Sequence, residues 1–302
     1  MKREAVEVQV DGRTLTLTNL AKVMYPATGF TKAQVIDYYQ RVAPAMLPHL
    51  RGRPLTRVRY PHGVGDKFFF EKNKPAALPD WVKTAKVTHK GEAIDFVVCD
   101  DRATLVWLAN LAALELHPQL HLADAPDRPT VVVFDLDPGL PAALRECCQV
   151  ALWVREVLEA VGLRCWPKVS GGKGLQLYAP LNTPTTYEAT KEFANAIARL
   201  LERQHPDDVL SKMSKELRKG KVFIDWSQND QVKTTVAAYS LRAQPRPTAS
   251  APVTWDEVEA AVEAKDASAL VFEAEAVLER VAERGDLFAP VATVKQKLPA
   301  LA

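Results

Sequence analysis

The run TVVVFDLDPG, residues 130–139, restricts the fold more than any other segment. An unbroken, β-branched apolar run of this length reads as a buried strand. Alternate side chains of a strand leave the same face, so Asp135 and Asp137 point the same way while Leu136 points into the core. Two carboxylates side by side repel each other and gain little from folding alone; their usual company is a divalent cation. The pair therefore reads as a metal site at a sheet edge. Taken alone, an Asp-x-Asp before Pro138 and Gly139 is equally compatible with an ordinary turn, so the weight comes from the rest of the chain.

A chain of 302 residues suffices for one large domain or two closely packed lobes. Neither a signal-peptide pattern nor an apolar span of about 20 residues is visible, which predicts a cytoplasmic protein with no membrane partner. Cys99, Cys147, Cys148 and Cys165 lack CxxC spacing and read as buried thiols, not as a zinc site or a disulfide framework. Charge is unevenly distributed: residues 1–90 carry 16 Lys and Arg against 7 Asp and Glu, and the remainder 23 against 30. That asymmetry suggests a front half that binds a polyanion.

Along the chain, VEVQV, Asp11-Gly12 and RTLTLT predict a two-residue hairpin. Thr31 and Gln34 predict a capping box ahead of a helix with Val35, Tyr38, Tyr39 and Val42 on one face, ended by Pro44. TRVRYP and AIDFVVCD read as strands with a Lys-rich, aromatic loop between them, and residues 102–116 as a helix. Pro141–Val161 reads as an amphipathic helix stopped by Gly162. CWPKVS and LQLYAPL read as a strand pair joined by SGGKG, and Thr185 with Glu188 as the cap of a helix ending near Gln204. After the basic segment KMSKELRKGK, KVFIDW and TTVAAYSL read as strands, and QPRPTASAP introduces two acidic helices. The mixture is α+β, without repeats.

The SGGKG turn at 170–174 offers backbone N–H groups that can converge on an anion, with Lys173 adding a full charge. It is not a Walker A loop, since Pro167 stands where the first glycine belongs. Following a metal-binding strand and its helix, it suits a triphosphate. Asp225 ends a second apolar run and could complete a two-metal site, and Arg242 supplies a phosphate-directed fork.

The ordered set FDLDPG, SGGKGLQLYAPL, VFIDWSQN and YSLR resembles the archaeo-eukaryotic primase superfamily, specifically the polymerase domain of bacterial ligase D. LTNLAKVMYP, RGRPLTRVRYP, FFFEKN and LELHPQ are similar to that domain's segments in the same order. The resemblance implies a single primase-polymerase domain over 1–302: an N-terminal DNA-binding lobe (1–125), a catalytic core (126–248) with an RRM-like fold of mixed and antiparallel strands flanked by helices, and C-terminal helices (249–302) packing on the core. It implies that Asp135, Asp137 and Asp225 are catalytic and hold two divalent ions, manganese or magnesium. Ser170, Lys173, Gln176, Gln228, Arg242 and Arg59 would bind the nucleoside triphosphate, ribo- or deoxyribo-. Asn19, Lys22 and Lys32 would form a pocket for a DNA 5′-phosphate. Phe69 and Phe70 would stack on template bases, with at least one of Phe68, Phe69 and Phe70 facing the core, and His117 would lie near the primer terminus.

The implied activity is extension of a DNA primer at short gaps or double-strand-break ends, with ribonucleotides preferred. Double-stranded DNA bearing a gap or 3′ overhang and a 5′-phosphate would be the partner, alongside a separate DNA ligase and an end-binding protein. Two positions depart from the family's pattern: Gln176 replaces a histidine, and Val58 a lysine. Two rivals stand beside this reading. A non-catalytic DNA-end-binding module is opposed by the three carboxylates. A haloacid-dehalogenase-type phosphatase is opposed by the late position of FDLDPG and by Gly139. His117 and His121 are four apart, but Pro118 between them argues against a zinc pair.

Overall fold

The computed structural model describes residues 5–89 and 91–300. The chain is α+β and divides into two compact units, each assembled from three stretches: Met1–Gln119, Thr234–Ala249 and Glu273–Asp286 in the first, and Leu120–Lys233, Ser250–Phe272 and Leu287–Ala302 in the second.

The first unit opens on the expected hairpin, β1 (Ala5–Val10) and β2 (Arg13–Thr18), whose turn residues Asp11 and Gly12 both have positive φ. A short pair follows, β3 (Val23–Tyr25) and β4 (Phe30–Thr31), leading into α1 (Lys32–Leu50). Thr31 and Gln34 form the capping box, but Pro44 does not end the helix; Pro44 and Pro48 both lie inside it. Each interior proline costs about 3 kcal/mol. Against that, Tyr38, Tyr39, Val42, Met46, Leu47 and Leu50 are all buried, at about 1.5–3 kcal/mol for each large apolar side chain, so packing wins.

The main sheet of this unit is antiparallel: β6 (Phe69–Glu71), β5 (Pro54–Arg59), β8 (Glu92–Val98) and β7 (Thr84–His89) in that order, with β9 (Ala113–Pro118) also on β5. The aromatic loop thus contains two strands that its composition did not announce. The expected helix at 102–116 is shorter: α2 spans Arg102–Asn110, Ala112 takes φ 60°, and LELHP pairs with β5 as a strand. TTVAAYSL is not a strand; it makes only isolated bridges at Thr234 and Leu241. Its backbone is held partly by side chains, with the Tyr38 hydroxyl donating to Tyr239 O (2.7 Å) and the Tyr39 hydroxyl accepting from Leu241 N (3.0 Å), beside a backbone bond from Ala237 N to Leu116 O (2.9 Å).

The second unit is built on a five-stranded sheet ordered β11 (Trp166–Val169), β12 (Leu175–Pro180), β10 (Val131–Pro138), β14 (Val222–Asp225), β13 (Val209–Leu210), antiparallel except for the last pair. Val131–Phe134 of the middle strand are buried, as its unbroken apolar run requires. Helices α3 (Leu144–Ala160) and α4 (Tyr187–Gln204) pack on that strand. Gly162 follows α3 as expected, its N–H donating to Glu159 O. The cap of α4 is Thr186, one residue beyond Thr185, and its hydroxyl accepts from Ala189 N. The end of the Pro-rich stretch and Val253 after it are buried and join β11 through Val169 N to Ala251 O and Val253 N to Pro167 O. Among the described residues no helix is long and apolar enough to cross a membrane. All four cysteines are free and buried.

Candidate active site

In the second unit, antiparallel register sets polar residues directly opposite one another. Lys168 faces Gln176, Gln176 faces Asp135, and Asp135 faces Asp225, so one row crosses four strands. Asp137 lies two residues beyond Asp135 on the same face. The structure therefore brings Asp135, Asp137, Asp225 and Gln176 together. Burial, then the charges of Asp137 and Asp225, push Asp135 well above the usual carboxylate range, opposed by the Gln176 hydrogen bond and by Lys168. Burial and the Asp225 charge likewise raise Asp137, with Arg218 opposing.

The partners of these carboxylates come from nearby turns. Asp225 Oδ1 accepts from Ser227 N (3.0 Å) and Ser227 Oγ (2.5 Å), and its Oδ2 accepts from Gln228 Nε2 (3.0 Å). Lys233 donates in turn to Ser227 Oγ. Arg218, in the basic segment, lies 3.8 Å from Asp137 and stacks 4.0 Å over the ring of Phe223. Asn229, fully buried, clamps β10 to the turn after β14: its Oδ1 accepts from Val133 N and its Nδ2 donates to Val133 O. Sequence reasoning gave Ser227, Asn229 and Lys233 no role, although WSQN directly follows the third aspartate.

Among the described residues no group of three or more His, Cys, Asp or Glu is gathered around one point as ligands. Asp225 is engaged by its own turn and Asp137 faces Arg218. The donor set still fits hard divalent cations: it consists of charged oxygens, and their mutual repulsion is what such an ion relieves.

At the SGGKG turn, Ser170 Oγ accepts from Gly172 N (3.3 Å) and Gly174 N (3.2 Å), while Lys173 is exposed. Ser170 thus shapes the turn that presents Lys173. A Cβ on Gly174 would lie 2.2 Å from Leu136 O, so only glycine lets this turn approach the strand between the two aspartates.

The remaining candidates lie in the first unit. Lys32 is buried at the start of α1, its Nζ donating to Thr18 O (2.6 Å), and Lys22 donates to Pro61 O (2.5 Å). Burial, then the charges of Lys22 and Arg59, lower Lys32 to about 8. Asn19 opens the turn with φ 55°, its carbonyl accepting from Lys22 N (3.0 Å), and the Lys22 carbonyl accepts from Lys32 N (2.7 Å). Asn19, Lys22 and Lys32 are therefore one cluster, with cations crowded at a helix N-terminus, where an anion is favoured. Arg59 donates to Glu71 (2.8 Å) and to Leu111 O (2.7 Å). Val58 is buried.

Arg242 and His117 converge on Glu115, a residue the sequence did not single out. Glu115 accepts from Arg242 Nε (3.1 Å) and Ala243 N (2.9 Å), and its Oε2 lies 2.9 Å from His117 Nε2. Burial alone would raise this carboxyl; the His117 hydrogen bond, the Arg242 charge and the Ala243 N–H together hold it at about 2. Phe68, Phe69 and Phe70 are all exposed, contrary to the expectation that one enters the core, because β6 is a three-residue strand at the end of its sheet. Phe68 packs on Tyr60, 5.6 Å between ring centres. His121 Nδ1 bonds the Tyr187 hydroxyl (2.7 Å).

Comparison with known proteins identifies the family. Residues 31–288 match the family model described as LigD, primase-polymerase domain. The chain is 43% identical over 277 residues to the multifunctional non-homologous end joining protein LigD of Mycolicibacterium smegmatis, covering 91% of this chain and 36% of that protein. It is 33% identical over 272 residues to the bifunctional non-homologous end joining protein LigD of Bacillus subtilis, covering 90% of this chain and 43% of that one. The chain thus spans well under half the length of these relatives. A solved polymerase domain from Mycobacterium tuberculosis ligase D, in complex with DNA, superposes with a TM-score of 0.86 at 40% identity, covering 92% of this chain and 98% of that one. The chain belongs to the LigD primase-polymerase domain family.

Proposed function

We propose that this protein is a DNA-dependent nucleotidyltransferase of cytoplasmic end joining that extends a primer at short gaps and broken ends, prefers ribonucleotides and anchors on a downstream 5′-phosphate. The observation that carries the reading is the placement of Asp135, Asp137 and Asp225 on one face of one sheet, beside a turn that presents Lys173. Asp135, Asp137 and Asp225 would hold two divalent ions, manganese or magnesium, which when bound supply charge neutralisation at the reacting phosphorus. The chain's own part is positioning. Gln176 and Ser227 orient two of the carboxylates; Ser170, Lys173 and Gln228 are proposed to engage the nucleotide. Arg59 and Arg242 are proposed as further phosphate-directed cations, with His117 held by Glu115 near the primer end. Gln176 donates a hydrogen bond but carries no titratable proton, so it orients without acting as a general acid.

The crowding of Lys22, Lys32 and Arg59 supports the 5′-phosphate anchor, since like charges brought together favour a dianion among them. Exposed Phe69 and Phe70 suit stacking on template bases. Because extension leaves a nick, a DNA ligase and an end-binding protein are the proposed partners. Primer extension on a gapped duplex, with and without the 5′-phosphate and with each nucleotide class, tests the reading. Phosphate-stimulated addition that Asp137→Ala abolishes is expected; phosphate-dependent binding without any addition by the unaltered protein would leave an end-binding module instead.

A further inference from the structure

Below the carboxylates lies a charge that the proposed reaction does not use. Lys168 is fully buried on β11, at the end of the polar row. Its Nζ donates to Gln176 Oε1 at 2.5 Å and to Ser250 Oγ at 2.7 Å, and lies 5.4 Å from the centre of the Tyr178 ring. Ser250 Oγ donates its own proton to Val169 O, so toward the ammonium it acts as an acceptor. With its oxygen committed to the lysine, the Gln176 amide presents its NH₂ group to Asp135, whose carboxylate it hydrogen-bonds. A flipped amide would set donors against the ammonium and an oxygen against the carboxylate, repulsive at both ends. The lysine therefore fixes which way the glutamine faces.

The other carboxylates show the same arrangement. Asp225 reaches Lys233 through Ser227, and Asp137 faces Arg218 at 3.8 Å. Each aspartate has a basic residue one hydrogen-bonding side chain away or closer. Of the three, Lys168 alone is shut off from solvent, where a charge acts with least screening.

We infer that Lys168 is an internal counter-cation of the carboxylate row, acting through Gln176 as a positioning residue: it offsets part of the negative charge at Asp135 before a divalent cation binds and so weakens the binding of that cation. The inference rests on the reading that Asp135, Asp137 and Asp225 hold the ions. Loss of the lysine acts in one direction twice, removing a positive charge and freeing the Gln176 amide to turn its oxygen toward the cation.

Titration of the full-length chain with Mg²⁺ alone, by calorimetry and by the cation-induced rise in Tm, tests it. Lys168→Met is expected to bind Mg²⁺ about three- to tenfold more tightly than the unaltered protein and to show a larger rise in Tm. Lys168→Arg, which keeps the charge, is expected to stay within about twofold. A lysine that serves packing alone would shift Tm equally with and without Mg²⁺ and leave the affinity unchanged, which would overturn the inference. Asp137→Ala separates the two levels: if it binds Mg²⁺ as well as the unaltered protein does, the carboxylate reading fails and the inference with it. Should Lys168→Met not fold, ¹⁵N-lysine NMR of the unaltered protein serves instead. The Lys168 Nζ resonance is expected to move in step with Mg²⁺ saturation, and a resonance that stays in place overturns the inference.

Discussion

Glu115 shows how much one buried carboxylate can organise. Its two oxygens take three donors, from His117, Arg242 and Ala243, and the carboxyl is held at about 2 instead of 4.5. A pKa lower in the folded than in the unfolded chain adds stability above about 4.5 that is lost as the pH falls toward 2; at neutral pH the difference amounts to about 3 kcal/mol. Glu115→Gln is therefore expected to cost on the order of 2–3 kcal/mol in urea unfolding at pH 7 and to flatten the loss of stability between pH 4.5 and 2. Lys32 has the opposite sign. Its folded value of about 8 lies below the ordinary 10.5, so its charge opposes folding below pH 8 and an incoming phosphate offsets that cost. Binding of 5′-phosphorylated duplex, followed by fluorescence anisotropy, should weaken several-fold from pH 7 to 9.5, and Lys32→Arg should remove most of that slope. Binding that stays flat across this range would separate Lys32 from the anchor.

At the scale of elements, the turn from β11 to β12 governs the geometry of the carboxylates. Gly174 crosses so near Leu136 O that Gly174→Ala must push β12 away from β10, between Asp135 and Asp137. Overpacking of this kind costs about 1–3 kcal/mol, so a fall in Tm accompanied by weaker Mg²⁺ binding is expected. Gly139 is confined in the same way by Arg218 O, which ties the basic segment to the turn after the second aspartate. Helix α1 makes the complementary point about local signals. Its capping box starts it as the sequence dictates, but where it stops is set by the buried side chains beyond Pro44.

At the scale of the whole molecule, each unit is completed by distant parts of the chain. Glu275 pairs with Arg41, and Asp286 bonds His49 and the Tyr239 hydroxyl in the first unit; Ala251 and Val253 bond the edge of β11 in the second. Truncation after Ala249 removes all of these partners. Neither unit is then expected to unfold cooperatively, and the truncated chain should lose its sharp thermal transition in near-ultraviolet circular dichroism, unlike the full chain.

Periodicity and turn chemistry suffice to read the hairpin at Asp11-Gly12, the strand pair around SGGKG and the buried strand at 131–138, because in these segments local preference and tertiary packing agree. The alternation of side chains in FDLD likewise puts Asp135 and Asp137 on one face of whatever sheet the strand joins, and motif order discloses the family. Local pattern does not reach LELHP, whose strand pairing depends on β5, or TTVAAYSL, two of whose backbone groups are taken up by tyrosine hydroxyls from α1 and a third by Leu116 O. Nor does it reach the partners of the site, Glu115 beneath Arg242 and His117, and Lys168 behind Gln176. Which carboxylates share a face is already legible in FDLD, since it follows from the two-residue period of a single strand. What stands opposite each of them is set in the folded chain, since cross-strand register and the burial of a charge arise from contacts between segments far apart in the chain.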